Sequence, residues 1–448
     1  MYNAYITEIK NVRCHPNADK LDLVDCFGNT VCVSHGEFAE GDLAVYFPTD
    51  GQLSEEFCQV HDLVRRKDDA GNQCGGYLEP GKRNIRAIRL RGERSDGLAM
   101  PLRCLEYTGI DIRTLEAGFA FTTINGKEIC CKYIPRSNHR NQSCNAGNRT
   151  RKKTKNKKEY PYFIEHIDTP QLRFNLSKFQ PGDYICLTEK VHGTSSRNGY
   201  ALVQNKKTWF HKLFNISPTT KYEQVCGTRR TLVKTNIGGY YGSNAFRVEW
   251  NNRFQGKLLP GEQVFGEIAG FIDNELPIMP IVKNNKTKDK DFVLQYGENT
   301  VFSYGCEPTG KKKSYGRDDI GIFAIGQNCP INRYFIYRMT YTTPEGYVIE
   351  YPWDLVKIRA EQMGFEIVPE LERFIYTTEE DFLNRITKYL DIPSTLDKRH
   401  IIEGIVVRKL NSIKFDVAKE KSWNFKIIEG IIKDTAETPD IEEQEELI

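Results

Sequence analysis

Between Arg136 and Lys158 the apolar periodicity that marks folded segments stops, and Arg149-Thr150-Arg151-Lys152-Lys153-Thr154-Lys155-Asn156-Lys157-Lys158 is almost purely basic. A stretch with no apolar surface to bury cannot lie inside a core, so residues 135–158 read as a flexible linker between two folding units. Length agrees, since 448 residues exceed what one ordinary core organises. Before the break, residues 1–134 read as short strands parted by turn signals, with Ala4, Ile6, Ile9, Leu21, Leu23 and Val24 as apolar positions. An all-β, barrel-like domain is expected there. After it, residues 159–433 mix patterns: Ala245–Phe254 has apolar residues at helical spacing, whereas 263–268 reads as a buried strand. Residues 434–448 are acidic and read as a flexible tail, and no internal repeat is visible. The expected class is α+β.

Composition excludes several functions. The hydrophobic fraction is 39% with 11% aromatics, and no apolar run approaches the roughly 18 residues of a membrane span. Met1-Tyr2-Asn3-Ala4-Tyr5-Ile6 opens directly into strand-like sequence, so no signal peptide is expected and an intracellular, cytoplasmic protein, or one in a host's cytoplasm if viral, is the simplest reading. The 13 cysteines are dispersed, with no C-x-x-C pair, which argues for reduced thiols rather than a zinc site. Adjacent Cys130 and Cys131 suit strand packing, as consecutive strand residues face opposite ways. The net charge of +3 decides nothing, but its distribution matters. In the segment 83–92, Arg89 and Arg91 are expected on one strand face and Ile88 and Leu90 on the other. Such a face suits a phosphate backbone or a solvated exterior balanced by Glu93 and Asp96. The basic run, with Arg151, Lys152 and Lys153, could be a solvated linker, but the favoured reading is a tethered polycation that holds nucleic acid without reading sequence.

The stretch Glu189-Lys190-Val191-His192-Gly193-Thr194 carries the chemistry. It follows the apolar Tyr184-Ile185-Cys186-Leu187, which places Lys190 where a strand leaves the core. A lysine attacks phosphorus only as the neutral amine, which burial or a neighbouring cation favours. Gly193 is expected to let the backbone turn beneath a bound nucleotide. Taken alone, the pattern also fits a surface lysine before a hairpin.

Downstream lie Phe265-Gly266-Glu267, Ile320-Gly321-Ile322-Phe323-Ala324-Ile325, Glu403-Gly404-Ile405-Val406-Val407-Arg408 and Trp423-Asn424-Phe425-Lys426. In that order the series resembles motifs I, III, IIIa, IV and V of the covalent nucleotidyltransferases: ATP-dependent DNA ligases, RNA ligases and mRNA capping enzymes. His192 followed by Gly193-Thr194 resembles the RNA-ligase-2-like group. His15-Pro16-Asn17-Ala18-Asp19-Lys20-Leu21 resembles OB-fold tRNA-binding modules, and 85–93 with 96–102 resembles the leading OB domain of Deinococcus-type RNA ligases. The resemblance runs to about residue 430. The long linker, the insertion-like 206–222 and the lack of a further domain after motif V depart from it.

The resemblance implies an OB-like β-barrel ahead of an ATP-grasp-like nucleotidyltransferase domain of antiparallel sheets and flanking helices. It implies that Lys190 forms the lysyl-adenylate, Glu403 holds a catalytic Mg²⁺ (Mn²⁺ possible), and Lys426 contacts the α-phosphate, with Asn424 where relatives carry a second lysine. Glu189, His192 and Gly193 flank the nucleotide; Glu267 is implied near the ribose; Arg229 or Arg230 is implied on ribose or phosphate, with Arg197 a looser candidate. For the adenine, Phe323 and Ile325 share a strand face and only Phe323 offers a π-face.

The resulting expectation is an ATP-dependent RNA ligase joining 3′-OH and 5′-phosphate ends through lysyl-AMP and an adenylylated polynucleotide, in RNA repair or nick sealing. Its partner would be RNA or an RNA-containing duplex, with no membrane, and the protein a monomer. The rivals are a DNA ligase, a GTP-using capping enzyme, or a non-catalytic RNA-binding protein on a decayed ligase fold. Retention of Lys190, Glu267, Glu403 and Lys426 together weighs against the last.

Overall fold

In Ala4–Glu8, Ala4 and Ile6 lie two apart and so share one side of a strand, where they bury with Val45, Phe47, Leu53, Phe57 and Leu105. That cluster is the core of the first of two units in this computed structural model, one formed by Met1–Arg136 with Glu429–Asp434 and the other by Ser137–Ile428. The structure describes residues 2–49, 51–67, 73–133, 160–204, 220–234, 236, 241–273, 276–287, 289–308 and 328–434. The basic linker with Arg151, Lys152 and Lys153, the residue Phe323, and the acidic tail lie outside the described residues.

The first unit comprises β1 (Ala4–Glu8), β2 (Lys10–Cys14), β3 (Leu21–Cys26), β4 (Asn29–Ser34), β5 (Leu43–Phe47), β6 (Ala87–Leu90), β7 (Glu93–Asp96), β8 (Leu98–Pro101) and β9 (Ala120–Phe121), with further short strands. An antiparallel sheet runs β8-β5-β1-β9, and β2-β3-β4 form a meander. The strand expected to carry both Arg89 and Arg91 stops one residue short of the second. Leu90 pairs with Glu93, and Arg91 and Gly92 take φ of 45° and 97°, the left-handed pair of a two-residue hairpin turn. Gly92 makes the reversal cheap, so Arg91 projects from a turn rather than sharing Arg89's strand face. The His15 loop braces this turn: His15 Nε2 lies 3.0 Å from the Leu90 carbonyl, and Asn17 Nδ2 donates to the Arg91 carbonyl at 3.0 Å.

The second unit is a pair of antiparallel-dominated sheets with helices on their flanks. One runs β16 (Glu370–Ile375), β10 (Tyr184–Glu189), β17 (Gly404–Lys409), β18 (Val417–Lys421). The other runs β12 (Thr220–Gly227), β11 (Thr194–Gln204), β13 (Glu262–Gly270), β14 (Asn332–Thr342), β15 (Val348–Glu350). All nine residues of β13 are buried, as its place between β11 and β14 requires. Helix α1 (Ala245–Phe254) has the helical spacing read from its sequence; its Phe254 ring stacks on Phe365 with centroids 3.8 Å apart. The remaining helices include α2 (Trp353–Met363), α3 (Glu379–Lys388) and α4 (Trp423–Asp434). Antiparallel sheets with few helices match the expected class. The described cysteines are all free, with Cys130 buried in a short strand. No helix among the described residues is long and apolar enough to cross a membrane.

Candidate active site

β10 ends at Glu189 in one sheet and β11 begins at Thr194 in the other, so Lys190 sits on the chain's crossing between sheets. Its N–H donates to the Gly404 carbonyl at 2.9 Å, which seats it beside β17. Its Nζ donates to Glu403 Oε2 at 2.8 Å. The same carboxylate faces His192 Nδ1 at 3.5 Å and, through Oε1, Lys421 Nζ at 3.5 Å. Burial alone would raise the Glu403 pKa, but Lys190, Lys421 and His192 outweigh it and hold the carboxyl far below the usual range.

Two glycines let the strands close around this group. A Cβ on Gly404 would lie 2.1 Å from the Glu420 carbonyl oxygen. A Cβ on Gly193 would lie 2.3 Å from that of Ile268. Gly193 takes no positive φ, and its missing side chain admits the backbone of β13.

Lys190 opens onto a cleft that encloses about 650 Å³ of space, its open mouth included. One sheet supplies Val406, Arg408 and Lys419; the other supplies Ser195, Glu267 and Tyr337. Arg229, His166 and Phe415 complete much of the remaining wall. Arg229 is held by Asp168 at 2.7 Å, and the more exposed Arg230 meets the same carboxylate at 3.2 Å.

Other expected residues are placed differently. Glu189 borders the cleft, but its buried carboxylate accepts from Ser394 Oγ at 2.5 Å, the Thr395 N–H at 3.0 Å and the Thr395 hydroxyl. It fixes the turn after Pro393; burial raises its pKa despite those bonds. His192 lies edge-on between Phe302 and Phe425, centroids 4.8 Å from each, and its backbone N–H donates to Tyr304 Oη at 2.6 Å. It steadies Glu403 from outside the cleft wall. Arg197 is 1% exposed, with its guanidinium spent on the Thr228 and Ile164 carbonyls and stacked on Phe163, so it is a strut.

Lys426 lies on α4 with Nζ 3.8 Å from Glu420, and it is not among the described residues that line the cleft. Lys419, which lines the cleft, and Lys421, which faces Glu403, lie two apart on β18 and so on one strand face. Sequence reading passed over this alternation although Val417-Ala418-Lys419-Glu420-Lys421 is strand-like. It also missed Tyr337, Val406 and His166. Among the described residues, Tyr337, Phe415 and His166 are the rings lining the cleft.

Known proteins match this arrangement. A family described as RNA ligase matches residues 183–428, and an OB-fold domain family matches residues 3–102. A sequence comparison with curated proteins gave no match. Among solved structures, a Naegleria gruberi RNA ligase mutant with ATP and Mn is similar over 96% of this chain and 98% of its own, at 15% identity and a TM-score of 0.55. A second mutant of that ligase, with AMP and Mn, shows 17% identity over 94% and 97% of the two chains and a TM-score of 0.55. The same ligase with PPi shows 17% identity over 94% and 96%, with a TM-score of 0.51. At these identities the likeness establishes the fold, while the RNA ligase match spans more than half of the sequence. The chain therefore belongs to the RNA ligase family, with an OB-fold domain ahead of its catalytic domain.

Proposed function

We propose that the protein is an ATP-dependent RNA ligase that works through a lysyl-AMP intermediate on Lys190. The observation that carries this reading is the Lys190–Glu403 pair, 2.8 Å apart, at the head of a two-sheet cleft whose walls hold Glu267, Lys419, Arg229 and an aromatic ring. Lys190 Nζ attacks the α-phosphorus; the P–N bond forms as the bond to pyrophosphate breaks. A 5′-phosphate oxygen of RNA then takes AMP from the lysine. A 3′-hydroxyl finally attacks that 5′-phosphorus, and AMP leaves as the phosphodiester forms. Phosphoryl transfer of this kind asks for positioning and charge neutralisation more than covalent help.

In this chain Lys419 takes the α-phosphate role expected of Lys426, with Lys421 beside it on Glu403. The base lies between Val406 of one sheet and Tyr337 of the other, and the ribose toward Glu267 and Arg229. Glu189, His192 and Gly193 shape the lysine's seat from behind. Lys190 must leave Glu403 to attack, since an amine held by a carboxylate is kept as the ammonium.

The donor set fits a hydrated divalent ion. Glu403 offers a carboxylate oxygen beside Lys190, the kind of ligand that Mg²⁺ or Mn²⁺ takes together with waters and phosphates. Glu403 is the carboxylate that would hold it. When bound, such an ion supplies the positive charge that neutralises the phosphates.

Arg89, Arg91 and the basic run with Arg151, Lys152 and Lys153 are the groups suited to hold RNA by its backbone. Incubation with labelled ATP and Mg²⁺, then denaturing electrophoresis, tests the reading. A covalent AMP adduct that RNA discharges supports it; an adduct formed only with GTP, or none, overturns it. A binding-only role would leave no reason to retain the Lys190–Glu403 pair.

A further inference from the structure

We propose that His166 reads the base of the bound nucleotide, donating a hydrogen bond from Nε2 to a ring nitrogen of adenine. The proposal rests on the nucleotide occupying the cleft as described above.

Three rings fix the orientation of this imidazole. Its centroid lies 5.2 Å from Tyr337, 5.5 Å from Phe265 and 6.2 Å from Phe415, and its backbone N–H donates to the Arg229 carbonyl at 3.3 Å. It lines the cleft. Its Nδ1 is sealed from water with no hydrogen-bond partner among the described residues. Among the described residues Nε2 has no hydrogen bond either, and it is the ring nitrogen left accessible. Nε2 is therefore the ring nitrogen that a ligand in the cleft can reach.

The ring is neutral. Burial first, then Arg229, Arg338, Arg197 and Lys419, hold its pKa well below the ordinary histidine value. A neutral imidazole carries one proton, and the two placements differ in energy. With the proton on Nε2, the sealed Nδ1 carries a bare lone pair in place of an orphaned buried N–H donor. The accessible nitrogen is then a donor.

Its position along the cleft selects the base over the ribose. Gly193, three residues past Lys190, abuts Ile268 and Glu267, whereas His166 packs on Phe265, further along β13 from the lysine. It also edges Tyr337, the ring on which the base would stack, so its free nitrogen meets the base's rim. Adenine offers N1, N3 and N7 there as acceptors.

The test measures lysyl-AMP formation with ATP and its 1-, 3- and 7-deaza analogues, for the parental chain, His166→Ala and His166→Phe, the last preserving ring packing if Ala loosens the fold. Expected is a parental loss of roughly tenfold in kcat/KM for one analogue, the value of a buried hydrogen bond. In the variants that penalty disappears, because ATP falls to the level of the analogue, through KM rather than kcat. Parental indifference to all three analogues, or an unchanged penalty in His166→Phe, overturns the proposal. Absence of any adduct in the parental protein would instead defeat the ligase reading beneath it.

Discussion

Gly193→Ala should slow adduct formation without unfolding the protein. The added methyl would begin 2.3 Å from the Ile268 carbonyl oxygen and 3.1 Å from Glu267 Cγ. Carbon does not approach such an oxygen closer than 3.0 Å, so at least 3.0 − 2.3 = 0.7 Å of separation must be found between the start of β11 and β13. Both are central, paired strands, joined over six register pairs from Thr194–Ile268 to Gly199–Gln263, so the easier movement is that of the short 190–193 crossing. Lys190 is part of that crossing. Misplacing a reacting group by about 1 Å costs roughly a hundredfold, so a slowing of about 10- to 100-fold is expected. Overpacking should cost about 1–3 kcal/mol of stability. Single-turnover labelling with ATP measures the first quantity, and urea unfolding the second. A variant that unfolds near the parental midpoint and labels at the parental rate would refute the idea that Gly193 sets the lysine's position.

Glu403→Gln should fold yet form almost no adduct, because the amide keeps the shape and loses the charge that Lys190, Lys421 and the phosphate-bound cation all use; adduct at the parental rate would make Glu403 structural. Lys419→Ala should cut labelling by a hundredfold or more while Lys426→Ala cuts it by less than about fivefold, since only the former lines the cleft; equal losses would restore Lys426 to the phosphate. A chain beginning near Glu159 should still label with ATP but seal nicked RNA poorly, increasingly so as salt is raised; equal loss of both steps would assign the N-terminal unit to the nucleotide. On acidification, His166 and His400, with folded pKa values below the unfolded value near 6.5, remain neutral in the fold, so their contribution is complete above that pH and lost below it. Glu403 and Asp397, also depressed in the fold, add a second loss below the unfolded carboxylate range near 4. Thermal melting should show Tm falling from about pH 6.5 and more steeply from about pH 4.5, and a flat profile between pH 7 and 5 would contradict the histidine assignment.

Contiguity separated what was legible in the sequence from what was not. Lys190 and Glu403 each lie in a short run whose residues act together, and a single strand end presents each run. The walls of the cleft are different. Tyr337 lies 70 residues after Glu267 on the neighbouring strand, and only the register that pairs Phe335 with Glu267 brings them to one face. His166 precedes β10, in a segment without periodicity, and its importance comes from three rings supplied by β13, β14 and the β17–β18 loop. Lys419 and Lys421 did have a local signal, the strand alternation. It was masked by Lys426, whose aromatic neighbours Trp423 and Phe425 resembled the motif but belong to a helix that buries them. Arg91 failed for a related reason: the alternation with Arg89 is real in sequence, and one left-handed glycine beside it ends the strand.

The contiguity of Glu189–Thr194 itself has a mechanical cause. β10 and β11 belong to different sheets, and only residues 190–193 connect them. Facing sheets stand roughly 10 Å apart, while four extended residues reach at most about 14 Å. The crossing is therefore short, and it ties the two sheets together at one end of the cleft. Lys190 is at that end, braced by the Gly404 carbonyl on one side, and by the His192 N–H to Tyr304 on the other. Everything that must be rigid for attack on phosphorus, the amine and its carboxylate, lies where the sheets are tied. Val406, Tyr337 and His166, which would accommodate the base, are carried by other segments; Tyr337 lies beside a second short crossing, Val368-Pro369, whose Val368 N–H donates to the Ile336 carbonyl. Lengthening the crossing by one residue between Val191 and His192 should accordingly abolish labelling while leaving ATP binding within a few fold, because it slackens the tie and spares the base site. Equilibrium binding beside single-turnover labelling distinguishes this from a collapsed cleft: if both are lost together, the tie serves the whole pocket and not the lysine alone.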